Sequence, residues 1–117
     1  MKIGTFFGFE AAHVLPHHPG KCSRPHGHSY RLEVVVEGGL QEDGPATGMV
    51  MDFADLKALV RRTVVEQLDH NDLNTLIANP TAEEIAQWIW ARLEPELPSL
   101  RRLVLWETAT AYAMLER

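Results

Sequence analysis

Five of the six histidines in this 117-residue chain fall within sixteen residues: His13, His17, His18, His26 and His28. The sharpest part of the cluster is His26-Gly27-His28. Residues two apart on a strand point to the same face, so both imidazoles can reach one ion. Gly27 adds no side chain between them and permits close backbone approach. A third ligand has to come from elsewhere. His13 qualifies, because it has the parity of Phe7 and Phe9 at the end of an apolar strand. Three neutral imidazoles suit Zn²⁺ and leave a coordination position open, the usual arrangement of a catalytic rather than a structural zinc. Two half-buried polar residues would give the same His-x-His spacing, and imidazole also accepts copper, iron and nickel. His17 and His18 flank prolines in a loop and read as solvated.

Cys22, the only cysteine, precedes His26 by four residues, with Lys21 and Arg24 beside it. A nearby metal and cations would populate its thiolate. The spacing equally allows a fourth zinc ligand, which would close the site and make it structural. Asp69-His70 follows an amphipathic segment; the carboxylate can orient the imidazole, or the pair can be a hydrated helix end. Glu107 ends the apolar run Leu103-Val104-Leu105-Trp106, either exposed or aimed into a pocket.

These residues have to be positioned by a small fold. Lys2–Phe9 reads as a strand whose continuation, Glu10–His13, enters a His-, Pro- and Gly-rich loop over Leu15–Pro25. In His28–Glu37, Tyr30, Leu32, Val34 and Val36 share one face, which predicts a half-buried strand. Met49–Met51 is a further extended apolar run, expected to form a hairpin with it across the polar Gly38–Gly48 segment. Asp52 reads as an N-cap, and Phe53, Leu56, Val60, Val64 and Leu68 recur at helical spacing for about four turns. A polar break covers Asp69–Asn74. Thr81 and Glu84 fit a capping box, opening a second helix with Ile85, Trp88, Ile89 and Leu93 as its apolar stripe. Arg101–Glu107 and Ala109–Leu115 read as strands. Strands in runs, rather than alternating with helices, indicate an α+β domain over residues 1–117, with an antiparallel sheet carrying its helices on one face. The other sheet face is then wet or covered by another subunit.

Composition bounds the function. With 45% apolar and 23% charged residues the chain reads as a soluble globular domain. A net charge of −5 argues against broad nucleic-acid binding, although Lys21 and Arg24 could hold a small anion. No apolar stretch is long enough to span a bilayer, no secretory signal is evident, and one unpaired thiol suits a reducing cytoplasm.

Together, Ala11-Ala12-His13, Cys22-x-x-x-His26-Gly27-His28, Met51-Asp52-Phe53, Leu68-Asp69-His70, Asn79-Pro80-Thr81 and Glu107-Thr108 occur in an order that resembles the 6-pyruvoyl-tetrahydropterin synthase family. The resemblance covers essentially the whole chain. It is greatest to the bacterial, 6-carboxytetrahydropterin-forming branch of the queuosine pathway, because three residues separate Cys22 from His26. The pyruvoyl-forming enzymes usually have a longer gap, and a folate-linked branch carries Glu in place of the cysteine.

The resemblance implies the tunnelling fold (T-fold), a four-stranded antiparallel sheet with two helices packed on one face. It implies trimers that close a barrel, stacking of two trimers as a homohexamer, and active sites between subunits. It implies His13, His26 and His28 as zinc ligands, Cys22 as the catalytic thiol, and Asp69 and His70 as its proton-relay partners. Glu107 would anchor the pterin ring, with Thr108 and Thr81 lining the site. The implied reaction is a zinc-dependent lyase reaction on 7,8-dihydroneopterin triphosphate, giving 6-carboxy-5,6,7,8-tetrahydropterin, acetaldehyde and triphosphate. The competing expectations are a pyruvoyl-forming synthase and a zinc-binding scaffold without catalysis.

Overall fold

The computed structural model describes residues 1–117. Its α+β architecture is a single sheet with helices on one face, as the pattern of runs predicts. The long hairpin of β1 (Lys2–His13) and β2 (His26–Glu37) forms its centre. β4 (Leu100–Trp106) pairs antiparallel with β2, and β5 (Tyr112–Glu116) pairs antiparallel with β4. These four make the expected antiparallel sheet. A two-residue strand, β3 (Asn71–Asp72), adds a fifth by pairing parallel to β1 at Ala11 and Ala12. The sheet order is β3-β1-β2-β4-β5, so the sheet has five strands rather than four.

Met49–Met51 does not form a strand. Both edges of β2 are already taken, by β1 and β4, so no ladder is open to a hairpin partner. The Gly38–Gly48 segment closes on itself instead, with the Gly48 amide donating to Gln41 O (2.9 Å). Val50 and Met51 pack against the core from outside the sheet.

Alternation along β1 and β2 buries Phe7, Phe9 and Ala11 against Tyr30, Leu32, Val34 and Val36. The helices cover that face. Asp52 caps α1 (Phe53–Val60) by accepting the Ala54 amide proton at 2.7 Å. A π-turn (Arg61–Val65) and α2 (Glu66–Leu68) continue the same rod. Leu56, Val60, Val64 and Leu68 are fully buried, whereas Phe53 at the first helical position is exposed. A strict spacing of four drifts by about 40° per step on an ideal α-helix; the wider π-turn returns Val64 and Leu68 to the sheet.

Thr81 caps α3 (Ala82–Leu93), accepting the Glu84 amide proton at 3.1 Å. The reciprocal half of the capping box is absent, because the Thr81 amide donates to Asn79 O instead. Ile85, Ala86, Ile89 and Leu93 form the buried stripe. Trp88 lies at its rim under the Arg92 guanidinium, 4.6 Å from the ring centroid. No helix is long and apolar enough to cross a membrane.

The opposite sheet face exposes Phe6, Tyr112 and Met114. Arg31 lies between aromatic rings there, 4.1 Å from the Phe6 centroid and 5.4 Å from that of Trp106.

Candidate active site

The last rungs of the β1–β2 ladder set His13 opposite His26 and Ala11 opposite His28. Alternation turns all three histidines to the helix-covered face, beyond the stacked Phe9 and Tyr30 rings (centroids 4.9 Å apart). Gly27 lies on the other face. A Cβ there would sit 3.3 Å from Ala11 O, tighter than most side chains tolerate, so the glycine permits the close approach of the two strands.

The hydrogen bonds around the imidazoles fix their tautomers. His13 Nδ1 lies 2.7 Å from Pro80 O, and His26 Nδ1 lies 2.8 Å from Arg24 O. A carbonyl oxygen only accepts, so each Nδ1 carries a proton, and in the neutral form of each ring Nε2 presents a lone pair. Those two Nε2 atoms are 2.9 Å apart. Two lone pairs so close repel unless a cation or a shared proton lies between them.

His28 Nε2 is buried with no hydrogen-bond partner. Glu107 Oε1 is 3.8 Å away, beyond hydrogen-bond distance. Burial holds the His28 imidazole below its ordinary pKa; Glu107 opposes the shift, and His13 and His26 add to it. His28 is therefore held in the neutral form that binds metals. One ligand nitrogen from each histidine lies within 4.8 Å of the others. An orphaned buried nitrogen, two opposed lone pairs and carbonyls behind two of the rings together fit a divalent metal ion of the zinc type.

Cys22 sits half-buried in a single 3₁₀ turn, Lys21–Ser23. The turn is folded back by the Leu15 amide, which donates to Cys22 O at 3.0 Å. A cavity of about 420 Å³ brings Cys22 together with Lys21, His26, His28, Leu15 and Glu107. An adjoining cavity shares Leu15 and Glu107 and also reaches Thr81. Thr108 lies exposed in the turn after β4, its Oγ1 3.4 Å from the Thr110 amide, and borders neither cavity.

Asp69 and His70 lie elsewhere. Asp69 terminates α2 and accepts the Glu10 amide proton at 2.9 Å. That bond, joined by His70, holds its carboxyl below the ordinary carboxylate range. His70 Nδ1 is 3.0 Å from Asp69 Oδ1. The His70 backbone turns into the left-handed region, φ 57°, where its amide donates to Glu10 O. Its ring is 80% exposed over a depression shared with Glu10, Ser29 and Asp72. That depression and the Cys22 cavity have only His28 in common. Within one chain, His70 does not face Cys22.

His17 and His18 are exposed, and His18 Nδ1 accepts the Gly20 amide proton. The carbonyls of Pro80 and Arg24, and the Tyr30 hydroxyl 3.4 Å from His13 Nδ1, are the supporting groups that the residue pattern missed. Backbone acceptors leave no mark in residue identity. Only the nearness of Pro80 to the Thr81 cap could have pointed to one of them.

The chain is 50% identical over 111 residues to 6-carboxy-5,6,7,8-tetrahydropterin synthase of Synechocystis, covering 92% of this chain and 86% of that protein. It is 45% identical over 102 residues to the dihydroneopterin monophosphate aldolase of Pyrococcus furiosus, covering 85% of this chain and 82% of the relative. The solved structure of Caenorhabditis elegans 6-pyruvoyl tetrahydropterin synthase superposes with a TM-score of 0.87 at 23% identity, covering 100% of this chain and 95% of that one, and so shares the fold. Residues 2–117 match the 6-pyruvoyl tetrahydropterin synthase family, and the chain belongs to it.

Proposed function

We propose that the protein is a zinc-dependent lyase acting as a single domain. It converts 7,8-dihydroneopterin triphosphate to 6-carboxy-5,6,7,8-tetrahydropterin, with release of acetaldehyde and triphosphate, in queuosine biosynthesis in the cytoplasm. The observation that carries this reading is the trio of converging imidazoles opening onto a cavity that also holds Cys22 and Glu107. The Synechocystis relative bears the name of that activity.

In this reading His13, His26 and His28 hold the metal. When bound, zinc polarises the hydroxyl oxygens of the substrate side chain and so acidifies the adjacent C–H bonds. The Glu107 carboxylate accepts two parallel hydrogen bonds from the guanidine-like edge of the pterin, which sets the ring's orientation. The Cys22 thiolate takes a proton from the side-chain carbon brought beside it. His70, oriented by Asp69, carries protons in the opposite sense. Thr81 lines the cavity next to Glu107, whereas Thr108 stands outside both cavities of one chain.

Because His70 and Cys22 border different cavities of one chain, a neighbouring subunit supplies the Asp69–His70 pair. This fits a homohexamer of two trimers in which the exposed sheet face of Phe6, Tyr112 and Met114 is turned inward.

The Pyrococcus relative favours a second reading, aldol cleavage of dihydroneopterin monophosphate. Product mass decides among the outcomes. The zinc-loaded protein is incubated with each phosphorylated dihydroneopterin. The carboxy product and acetaldehyde from the triphosphate support the proposal. A pyruvoyl product assigns the chain to the sister activity, cleavage of the monophosphate alone assigns it to the aldolases, and a zinc-replete protein without turnover overturns the proposal.

A further inference from the structure

The strand that carries His13 outruns its partner. β3 supports the outer edge of β1 only at Ala11 and Ala12, then turns away at Asp72 into the 3₁₀ turn Leu73–Thr75. On the other side, the β1–β2 ladder ends at the His13–His26 rung. The next peptide of the chain, at Val14, therefore lies beyond both neighbouring strands. Its amide nevertheless donates to Asn74 Oδ1 at 2.8 Å, and its carbonyl accepts from Asn74 Nδ2 at 2.9 Å. One carboxamide supplies the acceptor and the donor that a continuation of β3 would have supplied.

Asn74 is itself held. Its amide donates to Asp72 Oδ1 at 3.1 Å, and the preceding Leu73 is fully buried in the core. The surrogate rung is thus anchored to the hydrophobic core and closes one residue from a candidate metal ligand.

From this geometry we propose that Asn74 is a positioning residue for the metal centre. It continues the β1 ladder past the end of β3, clamps the Val14 peptide, and thereby holds the His13 backbone where the imidazole reaches Pro80 O on one side and His26 on the other. The 69–74 segment then serves both halves of the site. Its start is tied to Glu10 through Asp69 and His70, and its end is tied to Val14 through Asn74. Only a primary amide of this length presents a donor and an acceptor side by side. Alanine removes both, and aspartate keeps the acceptor alone.

This inference rests on the reading of His13, His26 and His28 as a metal site but not on the identity of the substrate. Its test is zinc affinity, measured by competition with a chromophoric chelator, together with the visible spectrum of the cobalt(II)-substituted protein. Asn74→Ala is expected to weaken zinc binding about tenfold or more, the size typical of lost supporting groups around a metal, and to alter the cobalt bands.

Thr75→Val is the control. It removes the Thr75 Oγ1 bond to Asp72 O (2.8 Å) from the same turn without touching Val14. It is expected to leave both readouts at wild-type values. Asn74→Asp, which keeps one of the two bonds, is expected to fall between the wild type and Asn74→Ala, and it carries the test if the alanine variant does not fold.

Wild-type zinc affinity in Asn74→Ala or Asn74→Asp overturns the proposal, as does equal weakening in Thr75→Val. A wild-type chain that binds no divalent metal overturns it together with the metal site. A chain that binds zinc but does not turn over a pterin refutes the proposed reaction and leaves this comparison intact.

Discussion

His26→Ala separates a metal centre from a cluster of satisfied polar residues, because the two readings predict different responses to zinc. In the metal-free protein, His26 contributes one exposed hydrogen bond to Arg24 O and opposes its Nε2 lone pair to that of His13 at 2.9 Å. One hydrogen bond of this type is worth about 1 kcal/mol, and the relief of repulsion works against its loss. The chelator-treated variant should melt within about 4 °C of wild type, since 1 kcal/mol shifts the melting temperature by roughly that much at this chain length.

With zinc the two proteins part. Free zinc at about 100 times the dissociation constant stabilises the native state by about 2.7 kcal/mol, which is about 11 °C on the same scale. Loss of one ligand that weakens binding about 100-fold reduces the gain at the same zinc concentration to about 0.4 kcal/mol, or about 2 °C. The assay is a thermal melt of both proteins, with chelator and with excess zinc, at one fixed protein concentration. An equal zinc-induced rise in both would refute the assignment of His26 as a ligand. No rise in the wild type would refute the metal centre.

Cys22→Ala is expected to retain zinc at wild-type affinity and to lose turnover; loss of the metal would make Cys22 a fourth ligand and favour a scaffold without catalysis. In the chelator-treated protein, burial places the His28 midpoint below its ordinary 6.5. Below that value the unfolded chain binds the proton more readily, so this contribution to stability is complete above about pH 6.5 and is lost as pH falls through the folded midpoint. NMR titration of the His28 ring measures it, and a midpoint above 6.5 would mean that Glu107 outweighs burial.

The parts of the site that were legible in the sequence are those set by strand parity. His26 and His28 two apart, and His13 in phase with Phe7 and Phe9, follow from a period of two. That His13 stands directly opposite His26 does not, because register depends on how the intervening loop closes. The Met49–Met51 run had strand composition but met a sheet whose central strand had no free edge, and edge occupancy is a property of the whole fold. Asn71–Asp72 failed in the opposite sense. Two polar residues carry no periodicity, and backbone pairing to Ala11 and Ala12 alone makes them a strand. Spacing places Trp88 in the α3 stripe, whereas the smaller Ala86 occupies the core and Trp88 packs under Arg92. The separation of His70 from Cys22 was likewise invisible, since it depends on which face of the sheet each loop returns to.

That separation yields the strongest test of the assembly. If each active site takes Cys22 from one subunit and His70 from its neighbour, Cys22→Ala and His70→Ala are each inactive alone and can complement each other. Random mixing in equal amounts, by co-expression or by dissociation and reassembly, places an intact Cys22 beside an intact His70 in about one quarter of the sites of a cyclic oligomer. Recovery of about a quarter of wild-type turnover is therefore expected, with every site either fully intact or impaired. If one chain supplied both groups, each subunit would carry one lesion whatever its neighbours, and mixing would restore nothing. The exposed His70 ring, held beside Asp69 over a depression that shares only His28 with the Cys22 cavity, argues for the first outcome. Null recovery from mixed oligomers of confirmed composition would require the loops to rearrange within one chain.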